Sequence, residues 1–306
     1  MHRTPEHPVI AAVDGSENGN RALEWAVSQA LLVGAPLRIV HARLYMNTIG
    51  AIMSAGFQES GADDDPVLVR VRAALAGRTG LPPIEYASHP GTPDEVLPNL
   101  GEGAQLMVLG SRGRGGFASL LLGSNGLACA ARAACPVVVV PRAPAALRDP
   151  YGQLVLGVNA AAPDDSTTHF AFREASRRGA RLRVVVAHPW AGPVFTPAGP
   201  LAAAAHPDGP AQDRARHQVA ALVAAHLRPH TERFPEVEVE VVVAPGDAAG
   251  HLVAASMAAD LVVIGRHRRR PLSPRLGSVT NAVLLHTGCP VAVVPLEECA
   301  VPATAS

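Results

Sequence analysis

The sequence predicts an α/β protein of two tandem, doubly wound open parallel sheets, with about five strands and about four helices in each. The chain contains one unit twice, and within each unit short continuous apolar runs alternate with helical periods. A run such as VVVV (Val137 to Val140) suits a strand buried on both faces, and alternation of strand with helix implies parallel βαβ units with right-handed crossovers. Glycine loops at strand ends are the third observation, and they bear on function as well as fold. The two domains are residues 1–142 and 152–297, joined by the linker RAPAALRDPYG (Arg142 to Gly152).

In the first unit, PVIAAVDGS (Pro8 to Ser16) is a strand closed by Asp14, and Asn20 to Val33 a helix. GAPLRIVHA (Gly34 to Ala42) is the second strand. Met46 to Pro66, rich in Gly, Ala and acidic residues, carries no period and is expected to be a loop near a ligand crevice. DDDP (Asp63 to Pro66) caps a helix from Val67. A strand begins at Ile84, another covers Leu106 to Gly110, and Gly123-Ser124 opens a short helix leading through Cys135-Pro136 to the last strand. The second unit repeats this with QLVLGVNAA (Gln153 to Ala161), a helix over Thr167 to Arg178, GARLRVVVA (Gly179 to Ala187) and a loop over Ala191 to Gln212. A helix containing VAALVAAHL ends near Pro229. A strand near Val239, then Leu261 to Gly265, Gly277-Ser278, Cys289-Pro290 and Val291 to Val294 complete it. Trp25 and Phe170 align on the first helices and read as core. The two last strands can meet within one chain, making an internal pseudo-dimer of the domains.

At 306 residues each domain has room for its own core, and with 48% hydrophobic but only 4% aromatic residues that core is built from Val, Leu, Ile and Ala. A formal charge of zero gives no reason to expect a nucleic acid or an anionic membrane surface as partner. No apolar run reaches the length of a membrane span, and the N-terminal MHRTPEHPVIAAVDGS lacks a signal-peptide core, so a cytoplasmic location is expected. Cys129, Cys135, Cys289 and Cys299 have no CxxC spacing and read as buried reduced thiols, in keeping with that compartment. All 26 basic residues are arginines. Without lysine there is neither a Walker A loop nor a Schiff-base enzyme.

The loops carry the functional signal. In the first unit Gly110 is followed after two residues by Gly113, and nine residues later by Gly123-Ser124-Asn125. Small residues at the end of a strand let backbone N–H groups turn toward an anion, and a helix start offers unpaired N–H groups with a dipole that favours negative charge. Ser124 suits the N-cap. Two such nests fit a di- or triphosphate, with Arg112 and Arg114 adding charge. In the second unit Gly265 and Gly277-Ser278 survive, but Arg268 stands in place of Gly113, the loop is one residue shorter, and Asn159 replaces Asp14. If the first copy needs a left-handed backbone at Gly113, Arg268 costs roughly 1 kcal/mol there. The basic RHRRR (Arg266 to Arg270) offers phosphate contacts by side chains instead.

The pattern Gly110-x2-Gly113-x9-Gly123-Ser124, after LMVLG and with VDGS near the N-terminus, resembles the ATP-binding branch of the universal stress protein family, in tandem two-domain form. The resemblance covers nearly the whole chain. It implies two Rossmann-like sheets of the adenine nucleotide alpha hydrolase-like kind. In the first unit it implies that Asp14 and Val40 flank the adenine, that Leu109, Gly110, Arg112 and Gly113 flank ribose and phosphates, and that Gly123, Ser124 and Asn125 hold the phosphates. Mg²⁺ or Mn²⁺ would bridge those phosphates. Asn125 and Gly126 depart from the apolar residue and Ser or Thr that many relatives have there. Asn159, Gly265, Arg268, Gly277 and Ser278 are the matching positions of the second unit, and relatives make a homodimer an expected assembly.

No metal site is expected within the chain itself: His226 and His230 are four apart, but Pro229 separates them and no HExxH or Cys/His cluster accompanies them. His41 either lines the crevice or packs at the strand end. No Ser-His-Asp set and no evident base for attack on a γ-phosphate can be assembled. The expected function is an ATP-binding stress-response regulator, read by an unknown protein partner, with at most weak hydrolysis. The alternatives are a slow ATPase or adenylyl-transferring enzyme using the same loop, and an interaction module that binds no nucleotide.

Overall fold

The computed structural model describes residues 7–43, 61–112, 122–142, 150–188, 195–196, 199–200, 210–266 and 276–296. The first unit supplies β1 (Val9–Ala12), α1 (Glu17–Val33), β2 (Leu37–Arg43), α2 (Pro66–Leu75), β3 (Ile84–Pro90), α3 (Pro93–Asn99), β4 (Leu106–Gly110), α4 (Ser124–Arg132) and β5 (Val137–Val140). The second supplies β6 (Gln153–Val158), α5 (Asp165–Arg178), β7 (Arg181–His188), a ribbon of β8 (Phe195–Thr196) and β9 (Gly199–Pro200), α6 (Pro210–Arg233), β10 (Val239–Pro245), α7 (Ala248–Ser256), β11 (Leu261–Gly265), α8 (Ser278–His286) and β12 (Val291–Val294).

Each unit is a five-stranded parallel sheet whose strand order reverses beside its first strand, in the doubly wound manner. The two sheets are fused. Strands β5 and β12 pair antiparallel, with Val291 opposite Val139, Ala292 opposite Val138 and Val293 opposite Val137, and one ten-stranded sheet runs β10-β7-β6-β11-β12-β5-β4-β1-β2-β3. Successive side chains alternate faces. Val138, Val140, Ala292 and Val294 join a core under α1, α2, α5 and α6, while Val137, Val139, Val291 and Val293 join the core under α3, α4, α7 and α8. Each core therefore runs through both units.

Local chemistry sets the helix ends. Ser16 caps α1, its Oγ accepting from the Gly19 N–H, so the helix starts three residues before the expected Asn20. Gly34 and Gly179, expected to open strands, instead end α1 and α5 with φ of 65° and 58°, a left-handed turn that a Cβ would strain. Asp65 caps α2 by accepting from Val67 and Leu68 N–H, as DDDP predicts. Helix α6 corrects an expectation: it runs through Pro229 to Arg233, because packing against α5 and β10 outweighs one missing backbone bond. Its first residues lie within the stretch expected to be a loop up to Gln212, and most of that stretch and of Met46 to Pro66 is outside the described residues.

Beside the seam, α1 meets α5 through a buried polar contact. Glu174, 1% exposed, accepts from Gln29 Nε2 at 2.9 Å and pairs with Arg177 at 3.2 Å and Arg178 at 3.4 Å; Arg178 also donates to Gln29 Oε1. The Arg178 guanidinium lies 5.4 Å from the centre of the Trp25 ring. Trp25 is half-buried and packs against the edge of the core, whereas Phe170 is buried within it. Cys129 and Cys135 are free, they and Cys289 are buried, and burial pushes the thiols of Cys129 and Cys135 up to about 12; Cys299 lies outside the described residues. Truncating Glu174 to Ala leaves Gln29 and two arginines without their shared acceptor, and should lower unfolding stability by about 2 kcal/mol, read as a shifted urea midpoint.

Candidate functional site

The site is built where β1 and β4 of the first unit diverge. Beyond β1 the chain turns at Asp14-Gly15-Ser16, with Gly15 at φ 75°; Asp14 Oδ1 accepts from Ser16 N–H at 3.0 Å and from Ser16 Oγ at 2.6 Å. At the end of β4, Gly110 lets α1 pass close by. A Cβ there would lie 2.9 Å from both the backbone carbonyl oxygen and the side-chain amide of Asn18. This glycine answers a close approach and not a left-handed backbone, since its φ is not positive. Asn18, 8% exposed, turns its amide oxygen toward the loop, where it accepts from Ser111 N–H at 2.9 Å and Arg112 N–H at 2.8 Å.

Asp14, Val40, Leu109, Gly110, Arg112, Gly123 and Asn125 line one cleft, together with Gly19, Pro93, Leu97, Ser111 and His41. Gly113, also expected there, lies outside the described residues. Ser124 departs from expectation. The N-cap of α4 is Gly123, with φ −82° and ψ 159°, and Ser124 is the first helical residue, exposed and off the cleft lining. The reason is that Gly123 N–H bonds to Ser111 O at 2.8 Å, which holds Gly123 in extended backbone at the helix start. The first nest is also changed. The Ser111 N–H continues the ladder to Val140 O at 2.8 Å and the Arg112 N–H serves Asn18, so these donors are taken by the fold. What remains for an anion among the described residues is the start of α4, which no side chain caps. A Cβ on Gly123 would have 3.7 Å to its nearest neighbour, Ser111 O, so packing does not demand this glycine.

Asn18 could not be found from sequence: an Asn in a first helical turn reads as a cap, and only the crossing of α1 over Gly110 brings it to the loop. His41 lines the cleft and also packs, its Nδ1 donating to Asp65 Oδ2 at 2.8 Å. Burial by itself raises the Asp65 carboxyl, but hydrogen bonds from His41, Ser88 and Val67 N–H, with the charge of His41, outweigh it and hold Asp65 below the usual aspartate value.

The second unit repeats the architecture with other side chains. Asn159 Oδ1 accepts from Ala161 N–H at 3.2 Å, so the turn survives the loss of the acid. A Cβ on Gly265 would meet Thr167 Oγ1 at 2.9 Å, again a close helix approach. Gly277 is the uncapped N-cap of α8. Asn159, Gly265, Gly277 and Ser278 line a cleft with Thr167, Thr168, Val279 and Thr280, and Arg268 is outside the described residues. Arg266, which also lines it, reaches across the seam to donate to Ala133 O at 2.7 Å, at the end of α4. The two cavities differ: about 70 Å³ in the first unit and about 530 Å³ in the second. Among the described residues no group of three His, Cys, Asp or Glu could hold a metal ion, and no helix is long and apolar enough to cross a membrane.

A sequence model described as the universal stress protein family matches residues 6–141 and 150–295. Universal stress protein Rv2005c of Mycobacterium tuberculosis is 30% identical over 300 residues, spanning 94% of this chain and 97% of its own. A universal stress protein of Mycolicibacterium smegmatis shares the same identity and spans. The crystal structure of a universal stress protein from Archaeoglobus fulgidus aligns with a TM-score of 0.60 at 16% identity, over 95% of this chain and 99% of that one, a likeness of fold.

The two glycines should separate in a stability measurement. Gly110→Ala forces its Cβ against backbone and should cost about 2 kcal/mol. Gly123→Ser, in open extended backbone, should be neutral or stabilising by a few tenths of a kcal/mol through the cap it adds, roughly the scale of such changes. Urea titration of both variants checks this.

Proposed function

This chain belongs to the universal stress protein family in tandem form, and from that premise we propose that it is an ATP-binding stress-response regulator with little or no hydrolysis. The observation that carries the proposal is the pair of helices, α4 and α8, that start at uncapped glycines in clefts beyond the carboxyl ends of β4 and β11. Helix starts of this kind favour phosphate, and clefts at the reversal of strand order are where open α/β sheets take ligands. The residues favour the first unit, which keeps Asp14 and Arg112 in its cleft. Asn125 and Gly126 would hold the phosphates by backbone N–H, Arg112 would add charge, and Val40 and Leu109 would supply the apolar wall for the base. Mg²⁺ or Mn²⁺ bound with the nucleotide would neutralise phosphate charge. Little hydrolysis is proposed because Asp14, the acid of this cleft, already has one oxygen engaged by both donors of Ser16.

A second reading, in which the second unit is the principal site, is favoured by volume. A nucleotide-sized ligand needs a cleft of roughly 300 Å³ or more, and the cavity of about 530 Å³ meets that where the one of about 70 Å³ does not. Val279 and Thr280 also supply the apolar residue and Thr that unit one lacks after its Gly-Ser pair.

An acid at the second helical position favours a helix and repels phosphate. Calorimetric titration with ATP and Mg²⁺ should therefore show Asn125→Asp weakened at least tenfold with Val279→Asp unchanged. The reverse pattern establishes the second reading, and no binding by the wild type overturns both. Mass detection of adenine nucleotide retained through gentle purification gives an independent check.

A further inference from the structure

We propose that His169 and His226, packed around His230 between α5 and α6 beside the second cleft, form a pH switch that loosens α6 from α5 on acidification. The rings are in contact: the centroid of His230 lies 6.1 Å from that of His169 and 5.9 Å from that of His226, and His230 stacks on Phe172 at 5.5 Å. Phe234 closes the group, 5.7 Å from His169. His230 is 5% exposed and the other two are half-buried, so the cluster forms much of the joint between the helices.

The hydrogen bonds fix where protons can go. Thr168 Oγ1 donates to Asp164 O at 2.8 Å, so toward His226 Nε2, also at 2.8 Å, the hydroxyl can only accept. His226 therefore carries its proton on Nε2, and a further proton must enter at Nδ1. His230 Nε2 donates to Asp165 Oδ1 at 2.9 Å. Acidification breaks none of these bonds directly; it adds cations to a confined set of rings.

Few charges are placed to compensate. His169 faces Arg233 and His230 from α6, and Arg173 and Asp165 from its own helix. His226 faces His230 on its own helix and Asp164 and Asp165 from α5. Asp164 is engaged in capping α5, through Ser166 Oγ and Thr167, and Asp165 is 82% exposed and already bonded to His230. Arg173 and Arg233 add repulsion. Burial first, then the neighbouring cations, lower the pKa of both His169 and His226. A lowered histidine stabilises the docked state above its ordinary value, near 6.5, and that stability is lost as the pH falls below it. Thr168, the acceptor for His226, lines the second cleft, so the joint and the cleft share a residue.

Hydrogen exchange of the full chain without nucleotide tests this, so its outcome does not depend on the nucleotide proposal. After correction for intrinsic rates, protection of residues 210–233 should fall at least tenfold between pH 7.5 and pH 5, while that of α1 stays unchanged. In the double variant His169→Phe, His226→Gln, whose glutamine can still donate to Thr168, the fall should be absent. An equal fall in α1, no fall in α6, or the same fall in the variant overturns the proposal. Should the variant fail to fold, NMR titration of the wild type decides: His169 and His226 must titrate below 6.5, and values at or above it overturn the switch.

Discussion

Because β5 and β12 pair antiparallel, with Ala292 set against Val138 between two valine pairs, the two parallel half-sheets share one ladder and neither leaves its last strand open to solvent. Two cores follow from that ladder, one on each face and each continuous across the units. The antiparallel turn also points the carboxyl ends of the two half-sheets in opposite directions, so the clefts open at opposite edges. Placing α1 against α5 brings Glu174 under three side chains from both units. The same seam lets Arg266, in the wall of the second cleft, reach the last turn of α4, whose first turn lines the other cleft. The two sites thus belong to one continuous sheet.

Along that sheet the clefts have diverged. The first keeps the acid, an arginine and a loop tied down by Asn18, and its cavity is small. The second has exchanged the acid for Asn159, which makes the same turn without the charge, and it encloses the larger space. Duplication with a preserved seam permits this: each half-sheet is held by its partner whatever its loops contain.

Much of the fold was legible because it rests on local pattern. Continuous β-branched runs, caps such as Asp65, and the repeat itself indicated strands, helix starts and two tandem domains. Gly34 and Gly179 end helices where the sequence alone suggests strand starts, because a glycine between helix and strand fits either end until its φ is known. Helix α6 passed through Pro229 because tertiary packing outweighs a local break. The site was legible as a set of glycines on strand and helix ends, but the reasons for them were not. Gly110 makes room for a helix, whereas Gly123 is required by no neighbour.

By itself the sequence determined the class of sheet, the duplication, and the positions at which the glycine loops of the two units agree and differ, because these depend on period, spacing and residue type. Only the tertiary structure decided which loop donors the fold already uses, which cleft has the room, and that three histidines from two helices share one joint. Those depend on distances between residues such as Asn18 and Gly110, or Thr168 and His226, that are far apart in the chain and meet only when the helices pack.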